Sequence, residues 1–169
     1  MTKRVALVTG IVLVSACSDG TAPRPFSQQV GILQLRVPAE TTPPPDSSVH
    51  WDVPPGDDTI TPARTIEVPD TVRVGAPFTV TVHTFGLDAC WEADGQDETV
   101  GSHVIEITPY DRHPDEGACG EMVRLLAHES AITVHEAGTW TVRARGRRVR
   151  AHDPGAATPV VAERTIIAQ

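Results

Sequence analysis

Three histidines, His83, His103 and His113, share a stretch of chain with Cys90 and Cys119. Imidazole and thiolate are the donors of structural zinc sites, which are usually built on local pairs. No H-x-x-x-H, H-E-x-x-H or C-x-x-C spacing occurs, so the histidines read as dispersed surface groups, and neither a metal nor another cofactor is expected. The run EADGQDE, Glu92 to Glu98, carries carboxylates as calcium loops do. Asp94, Asp97 and Glu98 do not fall on the alternate positions such a loop needs, which favours a solvated acidic loop. Arg143, Arg145, Arg147, Arg148 and Arg150 form the candidate anion-binding segment, to be weighed against a solvated face that offsets nearby acids. For catalysis there is no G-x-S-x-G, no phosphate loop and no Ser/His/Asp or Cys/His set, so no catalytic residue is assigned. The alternative is a hydrolase or metal-dependent enzyme that uses His83, His103 or Asp111 in an unfamiliar arrangement.

The elements that must carry these groups are strands. APFTVTVHTFG alternates, with Phe78, Val80 and Val82 on one face and Thr79, Thr81 and His83 on the other. GSHVIEITPYD predicts a second strand with Ile105 and Ile107 inward. EMVRLLAHESAITV suits a strand, or two, because its end is β-branched. GTWTVRARGRRVR puts Trp140, Val142 and Ala144 inward and Arg143 and Arg145 outward, with the later arginines lining a turn. VVAERTIIAQ closes the chain as a last strand, and TIEVPDTVRVG gives two short extended pieces broken at Pro69. Upstream, SQQVGILQLRV has Leu33, Leu35 and Val37 in one parity, with Ile32 breaking the alternation. It reads as a strand, with an edge strand added to the later sheet as one way to place it. The Pro-rich run from Pro38 to Pro62 cannot pack a core and reads as a semi-rigid linker, with Trp51 as its one large aromatic side chain.

The N-terminus carries the sharpest local signal. Lys3 and Arg4 precede an apolar run, Val5 to Val14, of about ten residues, which fits a secretory signal and is too short to span a bilayer. Val14-Ser15-Ala16-Cys17 follows and resembles the lipobox of bacterial lipoproteins. The resemblance implies acylation of Cys17, cleavage before it, and an anchor of two or three acyl chains such as palmitate. Two or more chains hold firmly because each buried CH₂ contributes about 0.8 kcal/mol. Ser18, rather than Asp, after the cysteine implies sorting to the outer membrane. Removal of residues 1–16 would make the chain's formal charge of −8 more negative still, which argues against nucleic-acid binding. Cys90 and Cys119 then remain as an even pair in an exported chain. That pairing is read as a disulfide, with a metal pair or a reactive thiol as alternatives.

The layout of VPDTVRVGAPFTVTVHTFG and HEAGTWTVRARG resembles bacterial immunoglobulin-like domains and, as a whole, small lipoproteins that carry them. The resemblance covers residues 65–169 and implies an all-β fold, an immunoglobulin-like antiparallel β-sandwich of about seven strands. It departs from antibody domains in its cysteines, which fall at loop positions, so the bond would staple two loops with Trp91 beside it. The expected organisation is a lipoprotein signal peptide at 1–16, a lipidated tether with a Pro-rich linker at 17–63, and the β-sandwich at 64–169. The expected role is a membrane-attached, non-catalytic module of the cell envelope that meets an envelope protein or glycan.

Overall fold

The computed structural model describes residues 26–36, 51–52, 59–62, 64–150 and 153–169; for residues 51, 52, 59, 60 and 154 it describes the backbone only. Cys17, the leader 1–16 and the Pro-rich run 37–50 lie outside the described residues, as does any packing of the Trp51 side chain. The described elements are all strands: β1 (Phe26–Val30), β2 (Ile32–Arg36), β3 (Trp51–Asp52), β4 (Thr59–Pro62), β5 (Ile66–Glu67), β6 (Thr71–Val72), β7 (Pro77–Gly86), β8 (Glu92–Gly101), β9 (Val104–Pro114), β10 (Arg124–Thr133), β11 (Gly138–Arg150) and β12 (Asp153–Ala168).

Alternation builds the interior. Val80 and Val82 of β7, Ile105 and Ile107 of β9, Ile132 of β10, Trp140, Val142 and Ala144 of β11 and Ile166 of β12 are all buried in one cluster. Phe78, expected to be fully inward, is only half-buried at the rim of that cluster. β10 is a single strand paired with β7 over its whole length, and β12 starts seven residues before the predicted last strand and pairs with β11.

The sheet is not the expected seven-stranded antiparallel sandwich. The described strands join into one mixed sheet, in which β11 runs parallel to both β9 and β2, and β12 runs parallel to β6. These parallel pairs argue against a simple immunoglobulin-like arrangement. Their origin is a fork. β9 and β11 pair through Val104–Ile107 and Thr141–Ala144 and then separate. The N-terminal segment fills the gap: β1 runs in antiparallel along Tyr110–Pro114 of β9. The chain reverses at Gly31, and β2 runs out parallel to Arg147–Arg150 of β11. At the vertex Gly31 N–H donates to the Pro109 carbonyl at 2.8 Å, and the Gly31 carbonyl accepts from the Arg147 amide at 2.9 Å.

Residues 26–36 are therefore part of the β domain and not a tether before it. Ile32, Leu33 and Leu35 are almost completely buried. The broken alternation at Ile32 has a structural cause, since the β2–β11 register slips at this point, pairing Arg147 with Ile32 and Arg148 with Gln34. Leu33 enters the main core, while Ile32 and Leu35 join Phe85 and Val149 in a second, smaller cluster. The vertex depends on two glycines. A Cβ on Gly31 would strike the Thr84 methyl group, and one on Gly146 would strike Leu33 and lie 2.8 Å from the Gly31 carbonyl oxygen.

Two further expectations change. The acidic run Glu92–Glu98 is strand β8 rather than a loop. Among the described residues β8 pairs only with β9, and it is exposed along most of its length, so it shows no apolar alternation. Charge on such an outer strand opposes pairing with other chains. The arginines after Gly146 lie within β11 and not in a turn.

Candidate functional site

Cys90, between β7 and β8, is bonded to Cys119, between β9 and β10, with Cα atoms 5.6 Å apart. The bond ties two loops at one end of the sheet, as their positions in the sequence imply. Beside it Trp91 is buried, its indole 5.1 Å from the His113 ring. Asp88 faces His113, Oδ2 to Nε2, at 3.0 Å, and its Oδ1 accepts the Cys90 amide at 2.8 Å.

A pocket of about 540 Å³ opens at this end, within the size range of small-molecule sites. The β7–β8 loop supplies Leu87, Asp88 and Trp91, β9 supplies His113, and β11 supplies Arg147 and Val149. Gln29 and Ile32 of the inserted segment complete one wall, and Gly155 and Ala157 of β12 another.

Arg147 is the cation of the pocket. Its Nε donates to the Val30 carbonyl, and its terminal nitrogens have no partner among the described residues. Burial lowers its pKa from the ordinary guanidinium value, and the charge of Asp111 works in the opposite direction. An arginine held by its Nε keeps its charge and presents its two terminal nitrogens, a geometry suited to carboxylate or phosphate.

The other members of the predicted anion segment are dispersed. Arg143 pairs with Glu163 at 2.7 Å, and Arg145 with Glu106 at 2.7 Å. The hydrogen bond from Arg145 holds Glu106 below the usual carboxylate range, and the same contact raises the pKa of Arg145. Arg148 donates to the Gln34 amide oxygen at 2.7 Å, and Arg150 is exposed at the end of β11. The five arginines do not converge, and Arg147 alone faces the pocket.

The residues of the alternative enzyme reading separate as well. His83 lies 3.6 Å from Glu67, and His103 lies 3.7 Å from Glu136 and 4.9 Å, ring to ring, from Trp140. Asp111 is fully buried and meets two groups that the sequence reading did not single out, Thr84 and His128. Thr84 Oγ1 donates to Asp111 Oδ1 at 3.0 Å, and His128 Nε2 lies 2.9 Å from that same oxygen. His128 Nδ1 faces the Gly95 carbonyl at 3.2 Å, while Asp111 Oδ2 has no hydrogen-bond partner among the described residues.

A carbonyl only accepts, so His128 Nδ1 carries a proton. A catalytic hydroxyl–imidazole–carboxylate set bridges its outer members through the two different ring nitrogens. Here Nε2 meets both Thr84 and Asp111, at 3.0 and 2.9 Å, and every member is sealed from solvent. The cluster is laid out as a polar brace inside the core. A sequence signal for His128 existed, because it shares the inward parity of Leu126 and Ile132 on β10.

Comparison of the chain with protein-family models, with curated proteins and with solved structures found no match.

His128→Ala removes a buried partner of Asp111 and leaves a cavity beside it, and is expected to cost about 2–4 kcal/mol in urea unfolding of the chain. Adding Asp111→Ala to it should cost less than the two single changes summed, since the two side chains belong to one hydrogen-bond network.

Proposed function

We propose that this chain is a lipid-anchored binding module of the bacterial cell envelope, held by acylated Cys17, and that its β domain takes an anionic sugar unit of an envelope glycan. The observation that carries the ligand reading is Arg147, a half-buried guanidinium in an open pocket, whose terminal nitrogens have no partner among the described residues. Asp88 is engaged by His113 and the Cys90 amide, so the uncommitted charge of the pocket is positive although the chain is acidic. Trp91, Ile32 and Val149 supply apolar surface against which a sugar ring can pack. The Cys90–Cys119 disulfide supports the exported reading, because such bonds persist in oxidising compartments. The lipobox residues Val14 to Cys17 support the anchor. The long alternating antiparallel pairs β7–β10 and β11–β12 are the features that support kinship with immunoglobulin-like domains, in a form altered by the β1–β2 insertion.

The anchor is tested by growth with a fatty-acid analogue. Label is expected on the wild-type chain and absent from Cys17→Ala; label retained by that variant contradicts the reading.

The ligand reading is tested by titrating the chain with uronic acids and sugar phosphates, followed by the fluorescence of its tryptophans. Binding should weaken as salt rises and fall at least about tenfold in Arg147→Ala, the loss of one charge-assisted pair. Equal binding by Arg147→Ala, or preference for the neutral parent sugars, contradicts it.

A further inference from the structure

The same end of the sheet holds a second arrangement that makes no use of Arg147 and stands apart from the anionic-sugar reading. Asp88, His113 and Cys119 each offer a donor atom, and these atoms all lie within 4.8 Å of one another. His113 Nε2 is 3.0 Å from Asp88 Oδ2 and 3.7 Å from Cys119 Sγ. Cys90 Sγ, bonded to Cys119 Sγ, brings a fourth donor to the cluster. A tetrahedral zinc site with bonds of about 2.0–2.3 Å has donor-to-donor edges of about 3.3–3.8 Å. Two edges of such a tetrahedron are thus present to within a few tenths of an ångström.

What closes the site is the disulfide, since a sulfur engaged in one offers no thiolate to a metal. We propose that reduction of Cys90–Cys119 converts this cluster into a zinc-binding site, with Cys90, Cys119, His113 and Asp88 as its four ligands. The chemistry balances in two steps. An external dithiol gives two electrons and two protons to the disulfide, is itself oxidised to its own disulfide, and leaves two free thiols. Zinc then displaces both thiol protons and is held by two thiolates, one neutral imidazole and one carboxylate.

Three features of the fold prepare the site. The two cysteines have Cα atoms 5.6 Å apart, close enough for both sulfurs to reach one ion once the bond opens. Asp88 Oδ1 already accepts the Cys90 amide, the kind of support that fixes a ligand's direction, and leaves Oδ2 facing His113 Nε2. Asp88 and His113 also line the open pocket, so an ion has a path in. The disulfide and the metal are competitors for the same sulfurs: the oxidised chain is closed to zinc, and bound zinc protects the thiols from oxidation. The local sequence search fails to see the site because its ligands come from two loops and β9 rather than from one pair motif.

The test uses the chain with Cys17→Ser, so that Cys90 and Cys119 are its only thiols, and cobalt(II) as a spectroscopic stand-in for zinc. After reduction with a phosphine, one cobalt per chain should bind, with tetrahedral d–d bands and a thiolate-to-cobalt charge-transfer band. Zinc should displace it, and the oxidised chain should show neither band. His113→Gln and Asp88→Asn should each lower the affinity at least about tenfold. In the unmutated reduced domain, added zinc should shift the ring resonances of His113, which covers the case in which a variant fails to fold. A reduced chain without tetrahedral bands, an unmoved His113 ring, or equal affinity in both folded variants overturns the proposal.

Discussion

Two parallel strands that part company leave backbone donors and acceptors facing each other across a gap, and buried peptide groups must find partners. β9 and β11 create that problem beyond Ile107 and Ala144. The chain from Phe26 to Arg36 solves it by entering along one strand and leaving along the other. Much else follows from this wedge. It contributes Leu33 to the main core and half of the buried members of the second cluster. It supplies Gln29 and Ile32 to the pocket, and the Val30 carbonyl that orients Arg147. It also closes over the Asp111 carboxylate, where only a residue without a side chain fits between Thr84 and Asp111.

The interior changes character along its length. The inward row of β9 reads Ile105, Ile107, Pro109, Asp111, His113, and that of β7 reads Val80, Val82, Thr84. At one end the strands are held by aliphatic packing, and at the other by Thr84, Asp111 and His128 bonded to one another. A buried polar group is costly unless paired, so such a cluster fixes which residues oppose each other as well as holding them. Beyond it the polar row emerges into the pocket at His113. The candidate sites therefore continue the polar end of the core outward, and the disulfide fastens the loops that frame them.

The parts of this architecture that alternate were legible from sequence. Val80–Val82, Ile105–Ile107 and Trp140–Val142–Ala144 are inward as their spacing requires, and Cys90–Cys119 is bonded. β8 was not legible, because an outer strand exposed on both faces carries no apolar period to read. The wedge was legible only as a strand: pairing partners more than a hundred residues away, as Gly31 and Arg147 are, leave no local trace. Its one hint was the irregularity at Ile32, which marks the register slip. Within the candidate sites, His113 and Arg147 were both noted by residue type, but their meeting in one pocket depends on that same distant pairing. His128 was hidden by the apparent polarity of AHES, where every second residue in fact points inward.

The account rests on the wedge being as firmly built as the strands it separates, and amide hydrogen exchange of the whole chain reads this directly. Exchange through global unfolding is the slowest class, whereas tethers exchange at once. The Gly31 and Arg147 amides, which bond to the Pro109 and Gly31 carbonyls, should exchange in the slowest class together with Val82 and Val142. Rapid exchange of both amides beside a protected β7 and β11 would show a domain that holds together without residues 26–36, and would contradict the account.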